Sequence, residues 1–109
     1  MNRRVIRLPT LASCCRALGD GTRLRVLEIL ADGERCVCEL TDRLGISQPL
    51  LSHHLRVLRE EGLVAGRREG RWMHYRLEPD AVAELTDALR RVLARYEESA
   101  RLGRAGCTC

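Results

Sequence analysis

Residues 47–62, SQPLLSHHLRVLREEG, constrain the fold of this chain more than any other stretch. Ser47 is a good N-cap, because its hydroxyl can accept a hydrogen bond from a free backbone N–H at a helix start. Pro49 in the first turn costs little, since that turn's N–H groups have no intrahelical partner. Leu51, Leu55 and Leu58 recur at i, i+4 and i+7 and make one apolar stripe. At roughly 100° per residue, Ser52, His53, Arg56 and Glu60 fall on the opposite face. Gly62 suits the residue just past the helix end. The polar face is dense in hydrogen-bonding groups, with Gln48 near its start. Gln pairs bidentately with adenine, Ser with several base edges, and Arg with guanine or phosphate. A solvated amphipathic helix would carry the same pattern, so the flanking residues decide between the two.

Upstream, a third helix is predicted over residues 36–44, with Val37, Leu40 and Leu44 as its inner stripe. Gly45 terminates it, and Ile46 follows as a hydrophobic contact into the next helix. Helix three, a tight Gly-containing turn and helix four match the helix-turn-helix pattern, with helix four the groove-reading element. Downstream of Gly62, Trp72, His74 and Arg76 alternate with Met73, Tyr75 and Leu77, which is a strand pattern. The Gly-flanked basic turn before it reads as the tip of a β-hairpin carrying Arg67, Arg68 and Arg71. Such a "wing" can set its charges on phosphate or in the minor groove; a plain solvated turn is the alternative.

The other elements follow from the same periodicities. A first helix is expected over residues 9–18, with Leu11, Cys15 and Leu18 as a stripe and Cys14 beside it. A second, over 22–31 and capped by Thr22 or Asp20, is apolar around much of its circumference and so is expected to be central and buried. A last helix runs from about residue 78 to 102, with Val82, Leu85, Leu89, Val92, Leu93 and Tyr96 on one face. A helix of that length overhangs so small a domain, and its stripe is more easily buried against a second copy of the chain. The expectation is one domain over residues 9–102, mainly α with a small β-hairpin, a winged helix-turn-helix of order ααααββα, dimeric. Residues 1–8 and 103–109 are expected to be flexible ends.

Composition sharpens this only in part. The chain has 109 residues, a net charge of +4, and Arg for every one of its 19 Lys/Arg positions. Arg offers a planar fork suited to phosphate and guanine, although +4 is also an ordinary solubility charge. No apolar run approaches the length of a membrane span. The basic N-terminus lacks the continuous apolar segment of a signal peptide. A cytoplasmic location is therefore expected, where cysteines more often bind metals or act as redox groups than form structural disulfides. Six Cys in so short a chain then need an explanation.

Cys36-Val37-Cys38 is the sharpest chemical signal. Val37 belongs to the inner stripe, so in an intact helix the two thiols would lie roughly 200° apart and could not grip one small ion. Chelation would require the first turn of helix three to unwind. A helix N-terminus also favours thiolates, the form that binds metals. Metal binding would thus remodel the start of helix three, which positions helix four, and DNA affinity would fall by a coupling free energy of typically about 1–3 kcal/mol.

Four stretches together resemble the ArsR/SmtB family of metal-sensing winged-helix repressors: ALGDGTRLRVLEIL (17–30), CVCEL (36–40), SQPLLSHHLRVLREEGLV (47–64) and GRWMHYRL (70–77). The resemblance runs from Leu11 to Tyr96. It implies a homodimer built on the first and last helices, with Leu11, Leu85, Leu89, Val92 and Tyr96 as candidate interface residues. It implies a palindromic operator in double-stranded DNA, released when an inducer ion binds. By the same resemblance Gln48, Ser52 and His53 occupy base-reading positions, while Ser47, Arg56 and the wing residues Arg67, Arg68 and Arg71 lie near phosphate. Leu50 departs from the small residue usual there and could meet a thymine methyl, so an operator sequence does not transfer from relatives.

CVCEL also resembles the family's CVCDL motif, which implies a thiolate site at Cys36 and Cys38 for As(III) or Sb(III), or for Cd(II) or Pb(II). Where arsenic-responsive members often carry a further Cys, this chain has Thr41. A third sulfur must come from elsewhere. Cys14 and Cys15 are one candidate pair, against which stands a simple core role on the apolar side of helix one; Cys107 and Cys109 in the tail are the other. Soft sulfur ligands select these ions over harder ones. The family's zinc, nickel or cobalt site needs imidazoles on the last helix, whereas His53, His54 and His74 all lie in the recognition helix or wing.

The reading that results is an As(III)/Sb(III)-responsive repressor. A Cd(II)/Pb(II)-responsive repressor and a thiol-redox repressor, whose paired cysteines oxidise together, are the alternatives. An enzyme is disfavoured, because no CxxC stands in a βαβ context. A metal carrier would have no use for the Arg-tipped hairpin or the SQPLLSHHL helix.

Overall fold

A computed structural model describes residues 5–103. Among them the order is α1 (Leu8–Leu18), α2 (Gly21–Leu30), β1 (Arg35–Cys36), α3 (Val37–Leu44), α4 (Gln48–Glu60), β2 (Val64–Glu69), β3 (Trp72–Leu77) and α5 (Pro79–Gly103). The winged helix-turn-helix expected from the sequence is present. Its sheet has a third, two-residue strand, in the order β1-β3-β2. That strand corrects the start of helix three: Cys36 is not its first turn but an extended residue paired with His74, next to Arg35 paired with Tyr75.

The local signals explain most boundaries. Asp20 caps α2, its Oδ1 accepting from the N–H groups of Thr22 (2.9 Å) and Arg23 (3.1 Å). Ser47 caps α4, its Oγ accepting from Leu50 N–H at 3.3 Å. Gly62 takes φ +75° past the end of α4, and Leu63 N–H reaches back to the Leu58 carbonyl while Gly62 N–H reaches that of Arg59. This paired closure satisfies two carbonyls that the helix end would otherwise leave open. Gly70, at φ +62°, opens the two-residue turn between Glu69 and Trp72, the position where such hairpins want glycine.

The core joins all the helices to the sheet through Leu11, Val26, Leu40, Leu51, Leu55, Leu58, Leu63, Tyr75 and Leu85, each under a tenth exposed. On α1 the buried residues are Leu11, Cys14 and Ala17, so Cys14 rather than Cys15 sits deepest. α2 is less enclosed than its composition suggests. Val26, Ile29 and Leu30 are buried, but Leu24 is 51% exposed. It borders a cleft of about 510 Å³ with Leu18 and Leu27 on one side and Leu85, Leu89 and Leu93 of α5 on the other. Farther along α5, Val92, Leu93 and Tyr96 are open to solvent.

Candidate nucleic-acid interface and thiol site

The two faces of α4 divide as the periodicity requires. Leu51, His54, Leu55 and Leu58 are buried, while Ser47, Gln48, Ser52, His53 and Arg56 are exposed along the opposite side. Leu50 is 45% exposed on the same surface. The two adjacent histidines therefore separate. His53 faces outward with the candidate base readers, and His54 is a packing residue. Its Nδ1 lies 3.2 Å from Nη1 of Arg23 and 4.0 Å from Oδ1 of Asp20. Burial is the largest influence on its ring and pushes its pKa below the ordinary value, with Arg23 and His53 adding to the effect and Asp20 opposing it. Arg23 is itself fixed, its Nε donating to the Ala17 carbonyl at 2.5 Å. The corner between α1 and α2 thus holds the recognition helix from behind.

The wing carries its cations differently from the sequence expectation. Arg68 and Arg71 are exposed at or beside the turn. Arg67 sits two pairs back from the turn, opposite His74, and clasps Glu34. Its Nε donates to both carboxylate oxygens at 3.0 Å, and its Nη2 to Oε1 at 2.6 Å. That hydrogen bonding holds the Glu34 carboxyl below the usual carboxylate range. Sequence reading missed Glu34, as it missed Arg59 and Tyr75, whose side chains meet where α4 passes β3.

The thiol site departs most from expectation. Cys36 is the N-cap of α3, with φ −69° and ψ 145°, and its Sγ accepts from Cys38 N–H at 3.2 Å. An extended residue followed directly by a helix turns both side chains to one side. The two sulfurs are bonded to each other, with the Cα atoms 5.3 Å apart. No unwinding of α3 is needed to bring them together, which overturns the roughly 200° separation that a helical Cys36 would impose. Cys36 is half-buried and Cys38 exposed. Reduced, the pair presents two sulfurs at the positive end of a helix, where thiolates are favoured.

Cys14 and Cys15 are not alike. Cys14 is 4% exposed, and its thiol donates to Oε1 of Glu61 at 3.7 Å. Burial first, and the Glu61 charge second, raise its pKa above the ordinary thiol value. Such a thiol resists the deprotonation that ligation demands. Ser13 Oγ donates to the other oxygen of Glu61 at 2.7 Å. Together these bonds tie α1 to the C-cap of the recognition helix. Cys15 is half-buried with a free thiol. Cys107 and Cys109 lie outside the described residues. Among the described residues, no three of His, Cys, Asp and Glu converge as a metal site in one chain. Cys36 and Cys38 suit two positions on a soft ion, and a further donor must approach them.

Of the candidate interface residues, Leu11 and Leu85 are in the chain's own core. Leu89 is half-buried, and Val92 and Tyr96 are 44% and 74% exposed. Among the described residues, no helix is long and apolar enough to cross a membrane.

Known proteins match this geometry. A family model described as bacterial regulatory protein, arsR family, matches residues 20–65, from the cap of α2 into β2. An arsenic resistance transcriptional regulator of Pseudomonas putida is 44% identical over 88 residues, 80% of this chain and 66% of that protein, so the chain spans just under two thirds of that relative's length. A biofilm growth-associated repressor of Agrobacterium fabrum is 41% identical over 93 residues, 85% of this chain and 80% of that one. The solution structure of a homodimeric winged helix-turn-helix DNA-binding domain from Mycobacterium bovis, titled a possible ArsR-family transcriptional regulator, aligns at 30% identity with a TM-score of 0.62, over 94% of this chain and 90% of that one. With its helix-turn-helix, its wing and these relatives, the chain belongs to the ArsR family of bacterial regulatory proteins.

Proposed function

We propose that this chain is a transcriptional repressor that binds a palindromic operator as a homodimer and lets go when As(III) or Sb(III) is captured by the Cys36 and Cys38 thiolates. The observation that carries the reading is the extended backbone at Cys36. It sets both sulfurs on one side of the α3 N-terminus, and the next helix, α4, carries the base-reading face. A pyramidal trivalent ion takes a third soft donor. Cys15, whose thiol is free and half exposed, and the tail residues Cys107 and Cys109 are the proposed sources; buried, protonated Cys14 is the weaker one. Gln48, Ser52 and His53 read base edges, while Ser47, Arg56, Arg68 and Arg71 hold phosphates. The second copy covers the open apolar side of α5, including Leu89, Val92 and Tyr96. The similarity to an arsenic resistance regulator supports the choice of ion.

One observation favours a second reading. Cys36 and Cys38 are joined as a disulfide, so the same pair can serve as a redox switch. Two thiols give up two electrons and two protons to an oxidant, and the S–S bond forms. A Cd(II) or Pb(II) site uses the same thiolates without electron transfer.

The test is a fluorescence-anisotropy titration of the reduced chain on DNA from upstream of its own gene. As(III), Sb(III), Cd(II), Pb(II) and Zn(II) are added separately, and the series is repeated with Cys36→Ser and Cys38→Ser. Release by As(III) or Sb(III), lost in both variants, is the expected result. Release by Cd(II) or Pb(II) alone moves the protein to the divalent branch. Release only by oxidant leaves the redox switch.

A further inference from the structure

Two side chains at the α4 surface, Arg59 and Tyr75, have no role in the DNA-binding reading above. Between α4 and β3 lies a cleft of about 540 Å³ lined by Pro49, Ser52, His53, Arg56, Arg59 and Tyr75. None of these lining residues is acidic, and two are guanidinium groups.

Tyr75 is a core residue, 7% exposed, yet its hydroxyl reaches this surface. The reason is residue 66, which stands directly opposite Tyr75 in β2 and is glycine. A Cβ there would lie 3.0 Å from Cε1 and Cζ of the Tyr75 ring. With no side chain in the way, the ring lies across β2, and its hydroxyl accepts from Nη1 of Arg59 at 3.4 Å. The phenol accepts through oxygen and keeps its own O–H to donate. Arg59 is therefore steered to the cleft by a buried residue of the wing strand rather than left to wander on the helix.

Resting on the DNA-binding reading above, we infer that this cleft seats one phosphate of a duplex DNA backbone, at the junction of the recognition helix and the wing. Arg59 and Arg56 supply the charge. The hydroxyl of Tyr75 supplies a neutral donor. Contacts of this kind fix register on the duplex and carry no base information.

The experiment is fluorescence anisotropy of the full chain on two labelled duplexes of equal length, one from upstream of its own gene and one of unrelated sequence, each over a chloride series. Arg59→Gln is expected to weaken binding to both duplexes by the same factor, about three- to tenfold, and to lower the salt slope by about one. Tyr75→Phe keeps the ring and its packing, and is expected to weaken both by about two- to fivefold, the worth of one hydrogen bond. Wild-type melting curves for both variants exclude unfolding as the cause. Replacing chloride by inorganic phosphate at equal ionic strength is expected to leave wild-type binding unchanged, and selective competition there would make the cleft a free-phosphate site and overturn the inference. An Arg59→Gln chain with wild-type affinity and slope overturns it while leaving DNA binding intact, as does a loss confined to one duplex. A wild-type chain with no salt-dependent binding to either duplex removes both readings together.

Discussion

Cys36 stands directly opposite His74 in the β1–β3 pair, and His74 stands opposite Arg67 in β2. Directly opposed residues share a face of the sheet, so the thiol pair, the imidazole and the guanidinium form one row from the start of α3 into the wing. Arg67 closes the row by turning back onto Glu34, two residues ahead of Cys36. His74 Nε2 lies 3.6 Å from Glu69, the last residue of β2. The wing is thus anchored on the backbone that any change at Cys36 and Cys38 must move. Under the proposed function, the thiol pair has a second line of influence on DNA besides the one through α3 and α4.

Glu34→Gln should separate those two lines. The Arg67–Glu34 pair is at the surface, so its loss costs little stability. It does leave the Arg67 guanidinium with the looser contact to Glu69 at 3.5 Å, and a wing cation able to meet a phosphate steepens the salt dependence of DNA binding by up to about one. It also removes the side-chain tie between the wing and Glu34, leaving the β1–β3 pairing in place, so under the proposed function the loss of affinity caused by the inducer ion should shrink. Anisotropy titrations with and without ion read both effects. An unchanged slope and an unchanged ion response would mean that the row transmits nothing.

His54 makes stability depend on pH in a defined direction. Burial lowers its folded pKa below the unfolded value, so the unfolded chain binds the proton more readily. Stability then rises with pH where the unfolded chain binds more protons. The contribution is present above about pH 6.5, the ordinary histidine value, and is lost as pH falls below it, when a charged ring must face Arg23. Asp20 offsets part of this by its nearness to the ring, and its own lowered pKa comes into play only at more acid pH. Thermal melts from neutral to mildly acid pH should show a falling Tm. His54→Asn should lower Tm at neutral pH and flatten the slope, and an equally steep slope in that variant would assign the titration to another group.

Leu93→Glu tests the partner copy. Leu93 is 56% exposed and borders the cleft beside Leu24, so a charge there leaves the chain's own core alone. If the second copy seats there, the variant should stay folded, sediment at half the mass and lose the concentration dependence of the wild-type Tm. Under the proposed function two linked copies hold a palindromic site, so its affinity should drop by about tenfold or more. A Leu93→Glu chain that stays dimeric would place the partner elsewhere.

The parts of this molecule legible in its sequence are those made by neighbours along the chain. The caps at Asp20 and Ser47, the Leu51–Leu55–Leu58 stripe and the Gly62 closure each depend on residues within about two helical turns. What escaped depends on distant partners. Cys36 leaves the helix because residues 35 and 36 pair with 75 and 74, and two residues carry no periodicity to betray a strand. Arg67 looked like a free tip because Glu34 is 33 positions away. Leu24 looked buried because its helix is apolar on several sides, and only the folded chain shows which side remains uncovered. Tyr75 was visible as one residue of an alternating strand, but neither its burial nor the purpose of the glycine opposite it was evident until the ring was seen to cross that glycine.

That glycine supports a last prediction. Gly66 has no positive φ, so alanine meets no backbone strain, and reduced freedom of the unfolded chain favours it by about 0.4–1 kcal/mol. Sterics oppose it. The new methyl would lie 2.8 Å from Met73 Cε and 3.0 Å from Cε1 and Cζ of Tyr75. The Met73 terminus can swing aside at small cost, but the Tyr75 ring is confined by the core and by Arg59. Overpacking of this kind typically costs about 1–3 kcal/mol, so the clash wins and Gly66→Ala should lower Tm by several degrees, at roughly 4–8 °C per kcal/mol for a domain of this size. Tilting the ring also withdraws its hydroxyl from α4, so DNA affinity should fall on specific and unrelated duplexes alike. Adding Met73→Ala relieves one contact and not the other, and should restore neither Tm nor affinity. A Gly66→Ala chain with wild-type Tm and wild-type binding would show that the ring has room to move.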